Sequence, residues 1–123
     1  MLHLAAFAGQ VVAMAKHRNL AVLDAAEQLA VAVTRLSDRT RLLLHRQQLL
    51  KAAQSVSANI AEGFGRATIP DRNSRLVIAR GEAEETIKHL RANLTCDRIT
   101  PADYWPLRNR AVTIVKMLNG LLA

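Results

Sequence analysis

From residue 20 to the C-terminus, apolar residues recur at alternating steps of three and four, and they do so in four separate segments. An α-helix turns once every ~3.6 residues, so each series marks one helical face, whereas a strand would need a step of two. Val22, Ala26, Leu29, Val33 and Leu36 form a first seam, ending near Ser37-Asp38. Leu42, Leu49, Ala53, Val56 and Ile60 form a second of about six turns, expected to stop at Gly63 or Gly65, where a missing Cβ lets the chain turn through positive φ. Leu76, Ala83, Ile87, Leu90 and Leu94 mark a third. The fourth is the cleanest: Tyr104, Leu107, Ala111, Ile114, Leu118 and Leu121.

Start signals agree with the seams. Thr68-Ile69-Pro70-Asp71 offers a hydroxyl N-cap with an acid at N3, and Thr100-Pro101-Ala102-Asp103 repeats the device with proline at N1, where no helical donor is lost. Pro106 falls early enough to bend the first turns of the last helix without ending it. Short connections force consecutive helices to run up and down as antiparallel neighbours. The expected fold is all-α, an antiparallel four-helix bundle over residues 16–123; a chain of 123 residues, half of them apolar, supports one such core. Leu43, Leu44 and Leu50 exceed a narrow seam, which means either a broad core face or a subunit interface.

Residues 1–15 stand apart as an N-terminal extension. Leu4, Phe7, Val11 and Met14 step by 3, 4 and 3, as an amphipathic helix would. Ala13-Met14-Ala15 has the small-x-small pattern of a signal cleavage site, yet no basic n-region precedes it and Gly9-Gln10 divides the apolar run. A third reading makes Met14 the natural start. No stretch reaches the ~18 consecutive apolar residues of a membrane span, and the single Cys96 excludes an internal disulfide, so a reducing cytoplasm is the expected setting.

Catalytic and metal chemistry find little support. The Glu-x-x-His repeat of di-iron bundles is absent, and His89, four residues after Glu85, reads best as half of a hydrogen-bonded pair. Cys96 lies beside Asp97 at the expected end of the third helix, whereas an activated thiolate wants a helix N-terminus or a cationic neighbour. Gly63-Phe64-Gly65 follows a helix, whereas phosphate-cradling loops lead into one. The chain is therefore expected to be no enzyme and to need no cofactor or metal.

Charge carries more. Seventeen Lys and Arg against ten Asp and Glu give +7, and the excess is segregated. Arg39, Arg41, Arg46 and Lys51 occur without an intervening acid, as do Arg108, Arg110 and Lys116, whereas Glu82, Glu84 and Glu85 cluster on the third helix. A polyanion such as RNA or DNA would be drawn to the basic regions through its phosphates. Aromatics are 3% of the chain and read mostly as packing residues, which disfavours recognition by stacking on bases. Arg46 lies in phase with Leu42 and Leu49, where an ion pair with an acid such as Glu85 is the alternative to a phosphate contact.

Asn59-Ile60-Ala61-Glu62-Gly63-Phe64-Gly65-Arg66 closes the second helix, preceded by Gln48, Lys51, Ala52 and Ala53. With Gly81 and Glu85 on the third helix and Met117-Leu118-Asn119-Gly120-Leu121 on the fourth, this pattern resembles the four-helix bundle proteins encoded in 23S rRNA intervening sequences, over about residues 16–122. Ser57 stands where that family usually has proline, Gln54 where it has an apolar residue, and Leu23 where tryptophan is common. The resemblance implies a homo-oligomer, a ring-like pentamer, and similarity to accessory variability proteins of diversity-generating retroelements, which engage a reverse transcriptase and nucleic acid. It settles no activity. Within the motif, Asn59, Glu62 and Arg66 share a face and are expected to form a stabilising polar network with Glu85, while Gly63 and Gly65 permit the turn. Arg39, Arg41, Lys51, Arg66, Arg108 and Arg110 are the candidate phosphate ligands, and recruitment of a protein partner is the alternative role.

Overall fold

A computed structural model describes residues 2–123 as four helices: α1 (Leu2–Arg39), α2 (Arg46–Phe64), α3 (Ile69–Thr95) and α4 (Pro101–Leu122). The end of each helix lies beside the start of the next. Arg39 at the end of α1 bonds Asp103 at the start of α4, and Arg72 near the start of α3 donates to the Leu121 carbonyl at the end of α4. The first seam is buried without exception: Val22, Ala26, Leu29, Val33 and Leu36 are all at 0% exposure. The six seam residues of α4 are buried too, and the helix continues through Pro106. Thr68 and Thr100 cap α3 and α4 through bonds from the backbone N–H of Asp71 (3.3 Å) and Asp103 (3.2 Å). Leu43 and Leu50 flank the core and contribute to a broad core face.

Several expectations are corrected. The connection after α1 reaches to His45, so Leu42 lies outside α2 and is exposed. Neither Gly63 nor Gly65 has positive φ; among the described residues that conformation belongs to His45 (53°) and Asp97 (56°). The seam of α3 is Leu76, Ala79, Ala83, Thr86, Leu90 and Asn93, whereas Ile87 and Leu94 pack from the side. Thr86 and Asn93 tolerate burial because each bonds within the protein, Thr86 Oγ1 donating to the Glu82 carbonyl at 2.8 Å. Of the four aromatics, Phe7 and Trp105 are exposed.

Among the described residues Arg46 pairs with no acid. Its guanidinium donates to the carbonyls of Ser37, Thr40 and Arg41 and to Ser37 Oγ, at 2.5–3.1 Å. Those carbonyls lie where α1 runs out of intrahelical donors, so a cation there satisfies backbone and complements the negative helix end.

The N-terminal extension is continuous with α1, not a separate helix; Met1 lies outside the described residues. Residues 3–18 are exposed and α1 first meets α4 at His17 and Arg18, so residues 3–16 run about 21 Å beyond the bundle at ~1.5 Å per residue. No helix among the described residues is long and apolar enough to cross a membrane.

Candidate nucleic-acid interface

Three arginines, one closing α1 and one from each of two connections, meet at the end of the bundle where α1 stops and α4 starts. Arg39 and Arg41 flank the exit of α1, Arg98 lies in the α3–α4 connection, and together with Leu42 and Ile99 they surround a cleft of about 530 Å³. Arg98 reaches the Leu42 carbonyl at 3.4 Å, tying the two connections together. The cleft runs into the shallow groove between α1 and α4, where Ala32 and Leu107 are bordered by Arg35, Arg39 and Arg110. Asp97 and Asp103 also line the cleft and Asp103 the groove, but both linings keep more arginines than acids, and among the described residues no carboxylate lies within 4.0 Å of Arg35, Arg41, Arg98 or Arg110. Their charge is open to an anionic partner.

Arg39 is committed otherwise. It bonds Asp103 at 2.9 Å, and this guanidinium holds the Asp103 carboxyl below the usual carboxylate range, with burial opposing and Thr100 assisting. A depressed folded value means that the pair contributes stability above the unfolded pKa of about 3.9 and loses it as pH falls through the folded value. Substituting Arg39→Ala is expected to return Asp103 toward about 3.9 in an NMR titration of its side-chain carboxyl carbon, with the stability difference from wild type vanishing at the acid end. An unmoved titration would show that Arg39 does not set it.

The remaining candidates are dispersed. Arg108 lies over the exposed Trp105 ring, 5.7 Å from its centroid, and Lys51 is exposed on α2. Arg66 sits at the opposite end of α2, about 28 Å from the cleft by helix rise, bonded to Glu62 at 2.6 Å. Arg75 approaches Glu62 at 3.4 Å, so this acid is shared between α2 and α3. Asn59 instead donates to the Ser55 carbonyl at 2.8 Å within its own helix. Glu85 is not joined to the motif, because the end of α2 meets only the start of α3, and Glu85 lies about 15 Å beyond Arg75 along that helix. Its partner is His89, at 3.2 Å, with Lys88 at 4.0 Å.

Gly63 is the member of the motif that fixes helix spacing. A Cβ there would lie 3.2 Å from the Arg72 carbonyl oxygen, 3.2 Å from Arg75 Cβ and 3.3 Å from Leu76 Cδ2, so α2 approaches α3 closely enough that even a methyl group would need its neighbours to shift slightly.

Sequence reasoning missed Arg35 and Arg98. Arg35 precedes Arg39 by one turn, a spacing that places both on one face. Nothing local marks Arg98, which joins Arg41 only when the bundle closes. No group of three or more potential metal ligands occurs among the described residues.

A family model described as 23S rRNA-intervening sequence protein matches residues 18–120. A crystal structure of a protein with unknown function from the S23 ribosomal protein family of Bacteroides thetaiotaomicron is similar at a TM-score of 0.78 and 27% identity, covering 82% of this chain and 97% of that one. No curated protein matches the chain.

Proposed function

The chain belongs to the 23S rRNA-intervening sequence protein family, and from that premise we propose that it is a non-enzymatic, self-associating protein that grips nucleic acid by its phosphate backbone. The observation carrying this reading is the open basic tract of Arg35, Arg41, Arg98 and Arg110 along the α1–α4 side and its end cleft. Exposed guanidiniums along a shallow groove and its end cleft suit backbone and shape, and structured RNA or duplex DNA supplies both. Self-association into a ring, for which five subunits is the number implied by the resemblance to the family, would repeat the tract around a shared surface and multiply its field.

The test is spatial. Filter binding of a structured RNA is expected to weaken on the order of tenfold or more in Arg41→Glu/Arg98→Glu, while Arg66→Glu, at the far end and already paired, stays within about twofold of wild type. Equal losses in both variants would remove the assignment to this tract. A second reading, recruitment of a protein partner without contact to nucleic acid, is favoured by Trp105, which is 51% exposed beside Arg108, both of residue types enriched at interface hot spots. Absence of RNA and DNA binding even at low salt would leave that reading standing.

A further inference from the structure

The protruding half of α1 carries a run of large exposed apolar side chains that meet no partner among the described residues. Leu4 (74% exposed), Phe7 (66%), Val11 (48%) and Met14 (67%) form its stripe, with Val12 (53%) beside them. These five side chains present about 600 Å² of apolar surface, the upper limit for a patch on an ordinary monomer. The same stripe continues at steps of four and three to Arg18 and Ala21, where α1 enters the bundle. There the character of the surface inverts. Ala21, Met117, Gly120 and Leu121 floor a mostly apolar groove of about 280 Å³ between α1 and α4, edged by His17, Arg18 and Lys116, and at Gly120 even an added Cβ would meet nothing within 4 Å. One chain thus carries large apolar knobs at one end of a helical stripe and a shallow, small-residue groove at the other.

We propose that the protruding half of α1 pairs antiparallel with the same segment of a second copy, placing Leu4 of each in the Ala21–Gly120 groove of the other. Positions 4, 7, 11, 14, 18 and 21 follow the heptad spacing of a helix pair. In the antiparallel register Leu4 opposes Ala21, Phe7 opposes Arg18 and Val11 opposes Met14. Charge selects this direction. Residues 3–15 contain no Asp, Glu, Lys or Arg, whereas Lys16, His17 and Arg18 form a basic cluster at the root. Parallel pairing would set two such clusters side by side; antiparallel pairing sets each against its partner's uncharged half, with Arg18 beside the Phe7 ring. Complete burial of these side chains on both copies would remove about 1,200 Å², which sets the ceiling for this contact at the lower end of specific interfaces. A membrane surface fits less well, because a helix lying among headgroups carries lysine and arginine along its polar face, and here they are confined to the root. The matched family region starts at residue 18, so this contact is additional to any assembly through the bundle.

Multi-angle light scattering on the full chain and on Phe7→Asp/Val11→Asp tests it. These residues touch no core, so helix content and thermal unfolding of the bundle stay intact, and the wild-type mass is expected to be twice that of the variant whatever number of subunits the bundle itself joins. In a Cys96→Ser background, Leu4→Cys/Ala21→Cys is expected to give an intermolecular disulfide on oxidation, and Leu4→Cys alone is not. Equal masses for wild type and variant would overturn the pairing. So would sedimentation of the wild type with phosphatidylglycerol vesicles at unchanged mass, which would assign the stripe to a lipid surface.

Discussion

Replacing Asn93 by alanine is expected to lower stability by about 3 kcal/mol and Tm by roughly 10–20 °C. Asn93 is fully buried on α3, and its amide makes three bonds. Oδ1 accepts from the Leu44 N–H at 2.7 Å, while Nδ2 donates to the carbonyls of Leu44 at 3.1 Å and His89 at 2.8 Å. One side chain thereby holds both backbone groups of the residue preceding His45, whose left-handed conformation (φ 53°) starts α2. A non-glycine residue in that region needs its surroundings to fix it, and Asn93 supplies the fixing. Alanine leaves two backbone groups without partners and a cavity besides. Asn93→Leu separates the two effects: it restores volume but no hydrogen bond and is expected to be about as destabilising, whereas recovery to wild-type stability in a thermal melt would show that packing alone mattered.

The second large effect lies at Gly63. Gly63→Leu is expected to cost about 3 kcal/mol in a urea titration, since the side chain would enter the space held by the Arg72 carbonyl, Arg75 and Leu76. Gly63→Ala is expected to fall within about 1 kcal/mol of wild type, because the helix propensity gained by removing a glycine offsets a tight Cβ. At Gly65 the backbone has φ −85° and a Cβ would lie 3.5 Å from the Glu62 carbonyl, an ordinary contact, so Gly65→Ala is expected to be neutral within about 0.5 kcal/mol. If Gly65→Ala proved the more damaging, close approach of α2 to α3 would not be the reason for the glycines.

These residues also mark where the sequence was readable. The seams of α1 and α4 follow from apolar spacing because every position in them is apolar, and the threonine caps follow from local chemistry. On α3 the same rule points one position aside, to Ile87 and Leu94, since the true seam includes Thr86 and Asn93, polar residues whose bonds form only in the folded chain. The phase of Arg46 leaves a phosphate or an acid such as Glu85 as its expected partner; its real partners are carbonyls at the end of α1, which bear no sequence label. Gly63 was legible as a special position, but for turning when its role is spacing. The basic tract was half visible: Arg39, Arg41 and Arg110 stand in acid-poor stretches, but Arg98 comes from a different connection and joins them through topology alone.

The salt dependence of binding bears most directly on the central claim. With a structured RNA and the full-length protein, log affinity plotted against log salt is expected to be linear with a slope of about −4 or steeper, and shallower by about 2 in Arg41→Glu/Arg98→Glu as those two phosphate contacts are lost. A slope near zero, or one unchanged by the double substitution, would contradict backbone binding through this tract.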